Sequence, residues 1–254
     1  MHSKKNIKMK LILLRHGESQ WNLENRFTGW KDVSLTDKGK QEAIFSANQI
    51  LKENIYIDSI FTSLLNRATQ TTKIVTTLIK FDENNINYDW RLNERHYGAL
   101  EGLNKSETAK KYGEDQVHIW RRSYDIPPPL LSPKDKRNPN NNLKFMDIEE
   151  ELPLGESLKD VVNRLQPFLE YYFSFISKNP GNHLIVAHSN SLRAIIKVLK
   201  NYNDKEITGI NIPTGVPLVY DLKSNLEVIE ERYLIDENEL IKKQDLIKKQ
   251  GKAN

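Results

Sequence analysis

The chain has no cysteine. That absence excludes disulfides, thiolate catalysis and cysteine-ligated zinc or iron–sulfur sites, and it fits a reducing compartment. Long apolar runs are missing as well. The apolar stretch at 11–14 is far too short to cross a membrane, and the basic residues 1–10 lack the apolar core of a secretory leader. A cytoplasmic protein with no membrane partner is therefore expected. A strong excess of one charge is also lacking: 38 basic against 34 acidic residues leave a net +4. A dedicated nucleic-acid binder concentrates its basic residues on one face, so no nucleic-acid partner is expected, whereas an anionic small molecule is compatible. No repeat of domain size is visible. What is present is 254 residues, 38% of them hydrophobic and 28% charged, enough for the core and solvated surface of one α/β domain.

Residues 9–14 (MKLILL) form a nearly continuous apolar run, the pattern of a strand buried on both faces. The run ends at Arg15-His16-Gly17, which places those residues at a strand's carboxyl end, where open α/β sheets bind ligands. A helix is expected over 36–54, capped by Thr36 or Ser34, with Ala43, Ile44, Ala47, Ile50 and Leu51 on one stripe. A short strand at 58–62, a helix over 64–79 and a strand over 85–92 follow. Three consecutive prolines, two further X-Pro pairs and an asparagine run make 127–152 a loop. Ser157 with Asp160 then signals a capped helix, whose apolar positions keep a 3.6-residue period until Pro180-Gly181. Residues 183–187 (HLIVA) read as a second buried strand ending at His188, with a helix over 191–200. Strands at 216–222 and 227–234 close the pattern. Residues 1–234 read as one catalytic domain, and 235–254, where IKKQ recurs, as a flexible or weakly helical tail.

Two strand–turn–helix units thus each present a histidine at the end of a strand. In the first, Arg15 offers a planar fork that matches phosphate oxygens, and neutral His16 offers a ring nitrogen able to attack phosphorus. Gly17 permits a sharp turn in which a phosphate would meet backbone N–H groups. In the second, His188 precedes Ser189, Asn190 and Ser191, which open a helix N-terminus suited to an anion, with Ser189 or Asn190 also able to cap it. Arg67 opens the helix over 64–79. Arg91, Arg95, Arg121 and Arg122 add fixed positive charge, and spacing leaves open which of them converge. The pair Arg121-Arg122 precedes a rigid proline turn. Glu94, just past a strand end, is the candidate for general acid–base work, although a salt bridge to Arg91 or Arg95 satisfies the same spacing.

The segment Leu13-Leu14-Arg15-His16-Gly17-Glu18-Ser19-Gln20-Trp21-Asn22 resembles the signature of the histidine phosphatase superfamily, in its phosphoglycerate mutase branch. Phe27-Thr28-Gly29-Trp30, the run from Glu94 to Leu100, Gly102-Leu103-Asn104-Lys105, the run from Arg121 to Pro129, the run from Leu152 to Leu158 and the run from Asn211 to Tyr220 extend the likeness over roughly 9–234. The resemblance implies a three-layer α/β sandwich with a mostly parallel central sheet and helices on both faces. It implies interconversion of 3-phosphoglycerate and 2-phosphoglycerate through a phosphohistidine on His16, primed by 2,3-bisphosphoglycerate, without a metal, in a homo-oligomer (dimer or tetramer). Arg15, Arg67 and His188 would hold the transferring phosphoryl group with Asn22 alongside, and Glu94 would donate and accept the proton. Tyr97, Lys105, Arg121 and Arg122 would grip the substrate's carboxylate and second phosphate, with Ser19, Thr28, Gly29, Ser189 and Asn190 around the pocket. Ser189 departs from the glycine usual there, residues 134–147 are richer in Asn and Lys, and the tail matches poorly, in a family whose tail can gate the site. Ser19, where relatives specialised for bisphosphoglycerate synthesis tend to carry glycine, argues for the mutase. The Glu94–Gly102 and Arg121–Pro129 segments argue against a general phosphatase, and the presence of His16, Arg67, Glu94 and His188 argues against a non-catalytic scaffold.

Overall fold

The structure is a computed structural model and describes residues 9–249. The expectations about a leader at the start and about 250–254 lie outside the described residues. Six strands, β1 (Met9–Arg15), β2 (Ser59–Thr62), β3 (Ile86–Tyr88), β4 (Asn182–Ala187), β5 (Leu218–Leu222) and β6 (Val228–Tyr233), form one sheet in the order β3-β2-β4-β1-β5-β6. The strands β3, β2, β4 and β1 pair in parallel, while β5 and β6 add an antiparallel edge. Among the described residues the helices are α1 (Gln20–Leu23), α2 (Asp37–Lys52), α3 (Asn66–Ile79), α4 (Lys105–Tyr112), α5 (Glu114–Arg122), α6 (Leu158–Lys178), α7 (Ser189–Lys200), α8 (Asp204–Gly209) and α9 (Glu237–Lys249).

The apolar run of β1 explains the layering. Successive side chains of a strand point to opposite faces, so Met9, Leu11 and Leu13 enter one core with α6 and α7. Ile12 and Leu14 enter a second core with Ala47 and Ile50 of α2 and Val75 of α3. With both faces covered, β1 can be hydrophobic without a break from Leu11 to Leu14, and the expected three-layer sandwich follows. Register then sets the site: Arg15 pairs with Ala187 in the parallel β1–β4 ladder. The next residue on each strand is a histidine, and His16 N donates to Ala187 O at 3.0 Å.

Capping works largely as the sequence suggests. Thr36 Oγ1 accepts from Gly39 N at 3.0 Å to start α2, and Ser157 and Asp160 bond reciprocally to start α6. Several local expectations shift. The strand expected over 85–92 shrinks to three residues, because the Asp89 carboxylate accepts from Arg91 N at 2.7 Å and turns the chain into a 3₁₀ segment at Trp90–Leu92. The helix expected over 191–200 begins at Ser189, with His188 as its N-cap, and Ser191 Oγ accepts from His188 N at 3.1 Å. Helices α1, α4, α5 and α8 are too short and too polar overall to announce themselves; Asn104 and Asn203 start two of them by accepting from backbone N–H groups. In the 127–152 loop the asparagines act likewise, Asn138 and Asn142 each capping a single 3₁₀ turn. The tail contains the helix α9, whose Lys243 reaches Glu42 at 3.4 Å and whose Gln244 donates to Asn211 O at 3.3 Å.

Candidate active site

A cavity of about 70 Å³ opens at the carboxyl ends of β1 and β4. Seven cationic side chains line it, Arg15, Arg26, Arg67, Lys105, Arg121, Arg122 and Arg193, against one carboxylate, Glu94. His16, Asn22, Thr28, Tyr97, Ser189, Asn190 and Ile247 complete the wall. Among the residues singled out in the sequence, Ser19, Gly29 and His188 stand behind this wall. Ser19 Oγ donates to Asn22 Oδ1 at 2.9 Å and so orients Asn22. Gly29 O accepts from Arg67 Nη2 at 2.8 Å. His188 lies against His16, with ring centroids 4.9 Å apart, and shares a 2.7 Å hydrogen bond with Ser63 Oγ.

His16 has its tautomer fixed by its neighbours. Its Nδ1 lies 2.7 Å from the carbonyl of Gly17 and must donate to it, while Nε2 accepts from Arg67 Nε at 3.3 Å. Burial, then the charges of Arg67 and Arg15, hold its pKa well below the ordinary value. The ring is therefore neutral at pH 7, with the Nε2 lone pair available beside two guanidinium groups. Burial likewise pushes His188 down, with help from Arg67 and His16. Gly17 serves a different purpose from the one expected: its N–H donates to Thr71 Oγ1 at 3.1 Å instead of facing the cavity. The glycine is needed because α2 packs backbone-to-backbone on the turn. A Cβ at Gly17 would sit 2.1 Å from Gly39 O, and one at Gly39 would sit 2.0 Å from Glu18 O.

Arg67 is held from behind by two carbonyls, Gly29 O and Lys31 O, the latter at 3.1 Å. Arg15 Nη1 donates to Ile212 O at 2.8 Å, while its Nε is buried with no partner. His188 Nδ1 is also buried and unpartnered. Glu94 does not form the salt bridge its spacing allowed. Its Oε1 accepts from Arg95 N at 2.8 Å, Asn190 N at 3.2 Å and Asn190 Nδ2 at 2.9 Å. Arg91 pairs instead with Asp89 and Glu150 at the surface. Arg95 is fully buried outside the cavity wall, its guanidinium 4.6 Å from the Tyr97 ring centroid and its Nη2 donating to Arg121 O at 3.2 Å.

The second group of cations comes from α4, α5 and α7. Lys105, the first residue of α4, is lowered to a pKa of about 7 by burial and by Arg121, Arg15 and Arg122. Arg121, in the last turn of α5, is lowered to about 10 by burial and Arg122. Arg122 Nη2 donates to Asn211 Oδ1 at 3.0 Å. Arg193 was missed by sequence reasoning, yet it sits one helical turn beyond Asn190 and bonds it through Nη1 at 3.4 Å; that spacing on one helix face could have found it. Arg26 and Ile247 were also missed, and nothing in their local pattern marks them. So dense a set of buried cations repel one another, and an anion relieves that repulsion. Among the described residues no group of three or more His, Cys, Asp or Glu could hold a metal ion, and no helix is long and apolar enough to cross a membrane.

The family model described as histidine phosphatase superfamily (branch 1) matches residues 11–230. The chain is similar to the 2,3-bisphosphoglycerate-dependent phosphoglycerate mutase of Dichelobacter nodosus (strain VCS1703A), at 46% identity over 226 residues, 89% of this chain and 92% of that one. Among solved structures it resembles a mycobacterial protein called hydrolase 1, with a TM-score of 0.67 at 20% identity over 88% of this chain and 96% of that one. It also resembles YhfR of Bacillus stearothermophilus, with a TM-score of 0.62 at 25% identity over 85% of this chain and 92% of that one. The first of these structural likenesses speaks to the fold alone.

Proposed function

The chain belongs to the histidine phosphatase superfamily, and on that premise we propose that it interconverts 3-phosphoglycerate and 2-phosphoglycerate through a phosphohistidine on His16. One observation carries the reading. The cavity holds two sets of cations, Arg15 and Arg67, whose charges bear on His16, and Lys105, Arg121, Arg122 and Arg193, which α4, α5 and α7 supply. A plain phosphate ester needs only the first; a substrate with a carboxylate or second phosphate at its far end needs both. The 46% identical relative, named for this reaction, supports the same reading.

The buried, unpartnered Arg15 Nε, on a side chain that lines the cavity, fits an anion that completes the site. When bound, 2,3-bisphosphoglycerate supplies the priming phosphoryl group. The His16 Nε2 lone pair forms the bond to phosphorus as the ester P–O bond breaks, and the Nδ1–H···O=C bond to Gly17 steadies the cationic ring that results. Arg15 and Arg67 face the equatorial oxygens, where positioning and charge neutralisation carry most of phosphoryl transfer. Glu94 gives its proton to the departing oxygen and takes one from the incoming hydroxyl, so the carboxyl ends each cycle as it began. Asn22, Thr28, Ser189 and Asn190 orient the ligand, with Ser19, Gly29 and Tyr97 supporting them. Ile247 of α9 at the cavity wall helps exclude water, which would otherwise hydrolyse the phosphohistidine. The reading further includes a catalytic unit over 1–234, a homo-oligomer and a cytoplasmic location.

The test is conversion of 3-phosphoglycerate by purified protein in EDTA, with and without catalytic 2,3-bisphosphoglycerate. Metal-independent turnover stimulated by the bisphosphate is expected. Release of free phosphate without 2-phosphoglycerate would move the assignment to a phosphatase.

A further inference from the structure

Arg164 and Glu156 do not line the cavity, yet together they grip the turn that carries Glu94. Arg164 Nη1 donates to Arg91 O at 2.6 Å, and Nη2 donates to Asn93 O at 3.2 Å and Glu94 O at 3.3 Å. Its Nε and Nη2 also reach the two oxygens of Glu156 at 2.6 and 3.1 Å. Glu156 in turn binds the far end of the turn: Oε2 accepts from His96 N, and its own N–H donates to His96 O, both at 2.8 Å. The guanidinium lies 5.6 and 5.8 Å from the ring centroids of Trp30 and Trp90, and Trp30 Nε1 donates to Glu94 O at 2.5 Å. The two charged side chains are 6% and 2% exposed.

A buried ion pair is poor value as a source of stability, because desolvation offsets most of its attraction and an apolar pair would serve as well. What an apolar pair cannot do is bond several carbonyls of one turn through a rigid fork. We propose that the Arg164–Glu156 pair is the positioning device for Glu94, and that Arg164 is a positioning residue for proton transfer. The proposal rests on Glu94 being the proton donor and acceptor. The carboxylate is oriented by Arg95 N and Asn190 only while the backbone at 93–95 stays where Arg164 holds it. Misplacement on the order of 1 Å is enough to cost about 100-fold in rate.

Replacing Arg164 alone would leave Glu156 buried and uncompensated, so the test removes both charges with E156Q/R164M in the full chain. R164K, which keeps the charge but loses the fork, is the second variant. Mutase kcat and KM are measured in the wild-type and in the E94Q background, with thermal melting to confirm folding. With Glu94 present, E156Q/R164M is expected to lower kcat about 100-fold with KM changed less than about threefold. In the E94Q background the same change is expected to cost less than about threefold, because the group it positions is already gone. R164K is expected to show the same pattern with a smaller loss. Equal losses in both backgrounds would mean a merely structural pair and overturn the proposal, as would no loss in either. If wild-type protein releases phosphate instead of isomerising, the mutase reading falls, and the same cycle read on phosphate release still decides the role of the pair.

Discussion

Lys105→Met is expected to make the ligand-free protein more stable and less active, and the charge arithmetic says by how much. The Lys105 ammonium is held at a pKa of about 7 against an ordinary 10.5, by burial first and then by Arg121, Arg15 and Arg122. At about 1.4 kcal/mol per tenfold change, the folded state carries a penalty on the order of 5 kcal/mol for keeping that group. Local relaxation and water entry reduce it, so a gain of about 1–3 kcal/mol is expected from the nearly isosteric methionine. For a chain of this size that is a rise in Tm of about 2–4 °C per kcal/mol. The sign with pH follows from the two pKa values. Below pH 7 the folded state holds the charged amine and the penalty is full; between 7 and 10.5 it fades, because the unfolded chain still binds the proton and the folded one does not. The advantage of the variant should therefore be largest at pH 6 and nearly gone by pH 10. Differential scanning calorimetry across that range, paired with mutase assays, reads both effects. Saturating 2,3-bisphosphoglycerate should reverse the order, since the wild-type ammonium then meets an anion. A variant less stable than wild type at pH 6 without ligand would refute the picture of an electrostatically strained cavity.

His16→Ala should abolish both turnover and labelling of the protein by ³²P-2,3-bisphosphoglycerate while leaving the circular dichroism spectrum unchanged; acid-labile label on the variant would place the nucleophile elsewhere. Gly29→Ala should lower kcat by about 10-fold or more and cost about 1–2 kcal/mol in urea unfolding. Gly29 sits at φ +54°, and a Cβ there would lie 2.8 Å from Glu101 Oε2 and 3.2 Å from Tyr97 N, displacing the carbonyl that holds Arg67. Unchanged kcat in that variant would mean that Arg67 does not depend on this carbonyl.

The layered fold was legible because its signals are long and repetitive. The apolar runs of β1 and β4 and the stripe of α6 each span enough residues for a period to emerge. What escaped was set by single side chains acting on the backbone. Asp89 ends β3 after three residues, and Asn104 and Asn203 start helices too short and polar to show a stripe. Gly17 shows a similar limit: its place at the turn that ends a buried strand is readable, but the packing of α2 against it is a tertiary fact that no local pattern encodes.

The site divides in the same way. His16 and His188 could be paired from sequence because each ends a buried strand, and adjacency of β1 and β4 then brings the rings to 4.9 Å. The cations had no such logic. Of the arginines left open by spacing, Arg121 and Arg122 reach the cavity, Arg91 goes to a surface ion pair, and Arg95 holds the end of α5 through Arg121 O. Which arginine becomes which depends on the turn between Asn93 and His96, and that turn is fixed from outside by Arg164, some seventy residues later in the chain. The proposed chemistry is thus written locally at the histidines but non-locally at the cationic side of the cavity. On the proposed function, the second set of cations, Lys105, Arg121, Arg122 and Arg193, favours a substrate charged at both ends over a simple phosphate ester. On that proposal the two histidines, plain in the sequence, bear on the kind of bond made, whereas the choice of substrate falls to the residues that sequence reads least well.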